Sequence, residues 1–249
     1  LGQLYLQGLA VGNLDAKLAQ REGLLVANAL QPRLHADDIP PLTALEVPAD
    51  APVLHPNTAR DDSAVLRYLQ GPDRSLATQA RLAVLGQLIG PPFFAQLRTD
   101  EQLGYIVNAG YSPLLDAPGL SLLVQSPSAD SAKIDARMDA FLTRFDQRIR
   151  TLDASELAPY REAVRQQLLT RDQSLEERAD RLWQNLAYPE VDFERRRHLA
   201  AAVAEVTPQA LEQAWQALRA HPALRITADP GDSAGDVDAL TRGFTPLPR

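Results

Sequence analysis

An α+β fold is predicted for this chain, and three observations predict it. Strand-like stretches come first along the sequence and long helices with apolar stripes come later. The 249 residues are 45% hydrophobic and 23% charged, enough to bury one large core or two small ones. No apolar run reaches the length of a membrane span.

Taken in order, Leu4 to Val11 reads as a strand that Gly12-Asn13 ends. Asn13 or Asp15 can cap a helix to about Leu30, with Leu14, Leu18, Leu25 and Ala29 on one face. Residues 31–52, rich in proline and acidic side chains, read as a linker. Val53 to His55 and Asp62 to Gln70 are candidate strands.

Asp73 can cap the next helix. Leu76, Ala80, Ala83, Val84 and Leu88 mark one of its faces, and Leu82, Leu85 and Ile89 another. A helix apolar on most sides is a buried one. Gly90-Pro91-Pro92 is expected to stop it, with the two prolines starting a short helix that Arg98 closes. Thr99 to Gln102 then forms a turn, and Leu103 to Ala109 alternates as a strand up to Gly110.

Leu120 to Gln125 is a further strand, with Leu120, Leu122 and Val124 on one side. A helix from about Asp130 to Arg150 carries Ile134, Met138, Phe141, Leu142, Phe145 and Ile149 on one stripe. Asp153 with Glu156, and Ser174 with Glu177, are capping-box patterns that start two more helices, the first with an expected kink at Pro159. Thr207-Pro208 begins another, to about Ala220, and Leu224 to Thr227 is a last strand. The end of the chain is expected to be mobile.

Composition excludes several classes of function. A formal net charge of −7 argues against a nucleic-acid surface. Without cysteine there is no thiol nucleophile, disulfide framework or cysteine metal site. No phosphate loop or Gly-x-Ser-x-Gly elbow occurs, and Ser126 and Ser128 have no histidine nearby in sequence. No signal peptide is visible, and with Met138 as the one methionine the chain is expected to be an excised or processed piece. Cytoplasm and periplasm fit equally well.

Leu97-Arg98-Thr99-Asp100-Glu101-Gln102-Leu103-Gly104-Tyr105 resembles a hallmark segment of the insulysin/pitrilysin branch of the inverted-motif zinc peptidases, the M16 family. In that family the segment lies in the last of four similar domains. Weaker similarity runs through nearly the whole chain, and the bacterial peptidase-like proteins of PQQ biosynthesis are a related subgroup. The resemblance implies an antiparallel sheet with helices packed on one face, of the M16-like, LuxS-type kind. It divides the chain into residues 1–30 (the last strand and helix of a preceding domain), a linker at 31–52, a C-terminal M16-like domain at 53–232 and a tail at 233–249.

The same resemblance singles out three residues. Tyr105 would polarise the scissile carbonyl, because a phenol can donate to an oxygen that gains charge as water attacks. Periodicity alone instead puts Tyr105 on the core face with Leu103 and Val107. Arg98, with its fixed fork of donors, would hold a backbone carbonyl of the peptide; its plainer role is to satisfy helix-end carbonyls. Phe94 would line a side-chain pocket near the cleaved bond, or simply pack in the core. Asp100-Glu101 reads as turn chemistry or as a means of orienting Arg98.

The family's catalytic signature, His-x-x-Glu-His, is absent, for His35, His55, His198 and His221 are scattered. His35-Ala36-Asp37-Asp38 reads as a solvated loop rather than a weak metal site, and Arg195-Arg196-Arg197-His198 as an exposed helical face. The chain is thus expected to bind no metal itself, the Zn2+ of the parent enzyme lying outside it. Its partners would be a peptide substrate and a zinc-bearing N-terminal half, or a separate subunit carrying that zinc, with no nucleic acid or membrane. The alternative is a catalytically silent binding or assembly subunit.

Overall fold

The computed structural model describes residues 3–40, 42–56, 61–115, 117–188, 191–231 and 245–247. Helix α1 spans Ala16–Leu30, strand β1 Leu45–Glu46, β2 Ser63–Gln70, helix α2 Leu76–Phe94, β3 Ile106–Tyr111 and β4 Gly119–Ser126. Helices α3 (Ser131–Arg150), α4 (Ala154–Leu169), α5 (Leu175–Asn185), α6 (Arg195–Ala204) and α7 (Pro208–Ala220) follow, then β5 (Ala223–Ala228) and β6 (Thr245–Pro246). The chain divides into two compact units, Leu1–Leu42 with Thr170–Phe193, and Thr43–Leu169 with Glu194–Arg249.

The first unit holds α1 and α5. Asp15 caps α1, its Oδ1 accepting from the Leu18 N–H at 2.7 Å. Leu4 to Val11 does not form a strand: a strand needs a ladder partner, and among the described residues this stretch has none. The Leu4 carbonyl instead accepts the Arg33 and Leu34 N–H groups, each at 3.1 Å. His35 to Asp38 closes on itself as one helical turn, with the His35 N–H donating to Asp38 Oδ2 at 2.7 Å.

The second unit is built on a four-stranded antiparallel sheet of order β3-β4-β2-β5. Val65, Leu69, Val107, Ala109, Leu120, Leu122 and Val124 point to one face and meet apolar residues of α2, α3, α4, α6 and α7. The expected stripe of α3, Ile134 through Ile149, is buried in full. Phe93, Phe141, Phe145 and Trp215 make a chain of edge-on and stacked rings with centroids 5.0–5.7 Å apart. On the opposite face Asn108, Leu123, Leu66 and Ile226 stand in register and stay exposed or half-buried. The layout is the predicted one, an antiparallel sheet with helices on one face.

Several local readings differ from the structure. Gly90-Pro91-Pro92 does not stop α2, which runs on to Phe94. A proline in a helix costs about 3 kcal/mol, and α2 carries two, Pro91 and Pro92. Burial of Ile89 and Phe93, at about 1.5–3 kcal/mol each, works against that cost. Ser75 rather than Asp73 is the N-cap of α2, its Oγ accepting from Thr78 N–H at 3.2 Å while Asp73 Oδ1 accepts from Ser75 N–H at 2.8 Å. Gly86 lets α2 lie directly on β3, because a Cβ there would sit 2.4 Å from the Tyr111 nitrogen. Val53 to His55 supplies a single bridge, Leu54 to Ile226.

The stretch read as a linker contributes β1, which pairs with β6. Gln70 pins β1 from the core, accepting the Val47 N–H at 2.8 Å and donating to the Leu45 carbonyl at 2.7 Å. Thr245 to Leu247 is therefore docked rather than a loose tail: Arg74 donates to the Leu247 carbonyl at 2.6 Å, and Leu247 packs with Ala44 and Ala117. Residues 233–244 and 248–249 of that expected tail lie outside the described residues.

One ion network ties the sheet to α3. Arg67 of β2, its side chain 7% exposed, donates through Nε to Asp135 Oδ1 at 2.6 Å, through Nη1 to Asp139 Oδ1 at 2.5 Å and through Nη2 to the Asp135 carbonyl at 3.0 Å. Arg225 of β5 reaches the other oxygen of Asp135.

Candidate functional site

The chain between α2 and β3 sorts its side chains sharply. Phe93 and Leu97 are 0% exposed and Leu103 4%, so the apolar members anchor the segment in the core. Phe94 is 49% exposed, Tyr105 is 44% exposed, and Arg98 is exposed. Packing in the core is thus not what Phe94 does; Phe93 fills that place, edge-on to Phe141 at 5.1 Å.

The backbone explains the sorting. After α2 the helix widens into a π-type turn, Ala95–Asp100, with the Glu101 N–H reaching back to the Gln96 carbonyl at 2.9 Å. The Leu103 N–H returns to the Leu97 carbonyl at 2.8 Å, and Gln102 takes φ 48°, which reverses the chain toward the sheet. Gly104 then presses against β4, where a Cβ would lie 2.2 Å from the Gln125 carbonyl oxygen. Tyr105 follows in a bend, its N–H donating to that same oxygen at 3.1 Å. Strand pairing begins only at Ile106, so Tyr105 escapes the alternation that would place it beside Leu103 and Val107.

The phenol of Tyr105 donates to Asp62 Oδ2 at 2.5 Å. Gln125 Nε2 donates to the same oxygen at 3.1 Å. Asp62 stands just ahead of β2, 43 residues before Tyr105 in sequence, and meets it because β2, β4 and β3 are neighbours. Neither Asp62 nor Gln125 carries a sequence signal for this contact. Among the described residues Arg98 makes no hydrogen bond or ion pair.

Glu101 does not orient Arg98. Arg137 of α3 grips it with two hydrogen bonds of 2.6 Å, Gln96 Nε2 donates to it at 2.8 Å, and Arg144 stands 3.8 Å away. Glu101 thereby fastens the turn that carries Arg98 to α3. The Arg137 hydrogen bonds hold the Glu101 carboxyl below its ordinary range, and those of Arg67 do the same for Asp139. Groups whose folded values are depressed stabilise the fold fully above their unfolded values, about 4 for carboxyls, and lose that contribution as pH falls through the folded values. Urea unfolding is expected to show stability declining as pH drops below about 4. A flat profile there would contradict this account.

Among the described residues no group of three or more His, Cys, Asp or Glu is placed to hold a metal ion. Ser126, buried, spends its Oγ on the Ser128 and Ala129 N–H groups at 3.2 and 2.9 Å, a turn contact rather than a nucleophile's setting. His198 is exposed on α6. Among the described residues no helix is long and apolar enough to cross a membrane.

Residues 84–183 match the family described as PQQ synthase PqqF-like, C-terminal lobe domain 4. The chain is 33% identical to Protease 3 of Escherichia coli O6:H1 over 134 residues, which is 54% of this chain and 14% of that protein. It is 31% identical to coenzyme PQQ synthesis protein F of Pseudomonas protegens over 159 residues, 64% of this chain and 19% of that one. The chain thus spans less than a fifth of the length of either curated relative.

In fold it is similar to the crystal structure of pitrilysin, with a TM-score of 0.74 at 23% identity over 95% of this chain and 27% of that one. It is also similar to a peptidase M16 inactive domain from Pseudomonas fluorescens, with a TM-score of 0.59 at 15% identity over 90% and 54% of the two chains. At these identities the likeness is one of fold. The expectation drawn from Leu97 to Tyr105 agrees with these likenesses: the chain is similar in sequence to Protease 3 and to coenzyme PQQ synthesis protein F and in fold to pitrilysin, and residues 84–183 match the PqqF-like C-terminal-lobe domain.

Proposed function

We propose that this chain is the peptide-gripping, non-zinc portion of a zinc metalloendopeptidase. The observation that carries the reading is the sorting around one turn. Phe93, Leu97 and Leu103 are buried, while Phe94, Arg98 and Tyr105 reach solvent. Exposed aromatic and arginine side chains on a segment anchored this firmly are suited to contact a ligand.

In this reading the roles divide by chemistry. Tyr105 donates its O–H to the scissile carbonyl oxygen as charge develops there. Arg98, which makes no hydrogen bond or ion pair among the described residues, grips a backbone carbonyl of the peptide. Phe94 lines a pocket for a side chain near the cleaved bond. The zinc and the ligands that hold it belong to a region outside this chain, in the same polypeptide or in a separate subunit. Residues 1–30 close a preceding domain, a reading supported by α1, which buries none of its residues.

The match of residues 84–183 to a PqqF-like domain favours a precursor peptide of the PQQ pathway as substrate. The kinship with Protease 3 favours broader peptide degradation. A catalytically silent binding subunit is the second reading, supported by the likeness in fold to an M16 inactive domain. The complete protein that carries this chain is expected to cleave an internally quenched, unstructured peptide, and the isolated chain is not. Cleavage by the isolated chain would overturn this division of labour. No cleavage by the complete protein would favour the silent subunit.

A further inference from the structure

The first unit, Leu1–Leu42 with Thr170–Phe193, has no core of its own. Among its described residues no apolar side chain is buried, and both apolar clusters of the protein lie in the second unit. Its large apolar residues are open to solvent instead. On α1, Leu24 is 62% exposed, Leu25 57% and Val26 47%; on α5, Leu175 is 57% and Trp183 51% exposed.

The two helices nevertheless have the pattern of packed ones. On α5, Leu175, Ala179, Leu182 and Trp183 recur at the helical period, with Glu177, Asp180 and Arg181 on the other side. Helices of 15 and 11 residues draw most of their stability from packing rather than propensity. Large exposed apolar surface of this kind marks a site of association. On α1 the three open residues are consecutive, so at about 100° per residue they fan across about 200° of the helix. One flat contact with a second copy cannot cover such a fan; a domain whose core takes in the helix can.

We propose that α1 and α5 together form the docking surface for a neighbouring domain of the same polypeptide. The inference rests on and extends the reading of residues 1–30 as the close of a preceding domain, by adding residues 170–193 to the surface. Two comparisons favour this occupant. The chain spans less than a fifth of either curated relative and 27% of the pitrilysin chain, so proteins of that kind hold most of their length elsewhere. The family matched by residues 84–183 is described as domain 4 of a C-terminal lobe, a numbering that implies neighbours.

The test is hydroxyl-radical footprinting of the complete protein that carries this chain, read by mass spectrometry. Two indoles in one molecule calibrate each other, because Trp215 is 2% exposed and Trp183 is 51% exposed in this chain. In the complete protein the difference is expected to be lost, with Trp183 oxidised as slowly as Trp215. Leu24 and Leu25 should be as slow as Leu85, which is 0% exposed here. Dilution should leave these rates unchanged, since the cover belongs to the same molecule.

Trp183 reacting many times faster than Trp215, while Leu24 and Leu25 are protected, overturns the inference and leaves the reading of residues 1–30 standing. Fast reaction at Leu24 and Leu25 overturns both. Protection that disappears on dilution assigns the surface to a second copy or a separate subunit and overturns the occupant proposed here. The readout needs no activity, so it stands apart from the roles of Tyr105 and Arg98.

Discussion

Tyr105→Phe is expected to lower kcat by about 100 to 1,000-fold, the typical loss when one oxyanion donor is removed. KM should change little. The substitution deletes a single oxygen and keeps the ring, which is 44% exposed and outside the core. The fold therefore has little reason to weaken: Phe93, Leu97 and Leu103 still anchor the segment, and Asp62 keeps its hydrogen bond from Gln125. A donor that acts only on the charged oxygen appears in kcat and kcat/KM together. Steady-state rates on a fluorogenic peptide, with the complete protein and its Y105F variant side by side, decide the matter. Equal turnover would sink the role assigned to Tyr105, and a rise in KM alone would make it a ground-state binding group.

Asp135→Ala is expected to cost about 3–5 kcal/mol of folding stability, the usual penalty for breaking a buried ion pair on one side. Asp135 is 14% exposed on its side chain and lies between two guanidinium groups, Arg67 of β2 and Arg225 of β5. Burial, and then the charge of Arg67, push the pKa of Arg225 down. Without the carboxylate between them, Arg67 keeps Asp139 but loses its tightest partner, and Arg225 keeps no counter-ion within this network.

Replacing Arg148, whose pair with Glu156 is about two-fifths exposed on both sides, should cost far less. Urea unfolding of the two variants provides the comparison. A D135A variant no less stable than R148A would mean that packing alone, through Ile134, Met138 and Phe141, holds α3 on the sheet.

Elements whose cause is local were legible in the sequence. The α3 stripe from Ile134 to Ile149 is spaced at the helical period, and all of it is buried. Ser174 and Thr207 cap the helices that follow them, because a cap needs only the backbone N–H groups of the next turn. The alternation of Leu120, Leu122 and Val124 marks a core face without reference to any partner strand. The run from Leu97 to Tyr105 pointed to kinship because it packs a helix end, a turn and a strand start into one specific string.

What failed to be legible depends on distant parts of the chain. Pro91 and Pro92 look like a helix stop, yet burial of Ile89 and Phe93 carries α2 through them. Leu4 to Val11 has the pattern of a strand, but pairing requires a partner, and none of the described residues provides one. Thr245 to Leu247 looks like a loose end until Leu45–Glu46 and Arg74 hold it.

At the candidate site the division is the same. The sequence by itself determined the residue types and the turn that presents Phe94, Arg98 and Tyr105. Only the tertiary structure decided that Tyr105 faces solvent, that Glu101 belongs to Arg137, and that Asp62 holds the phenol. The physical reason is that periodicity and capping act within a few residues, whereas strand order, close backbone approach and hydrogen-bond partnership are settled by residues tens of positions apart that meet only when the sheet is assembled.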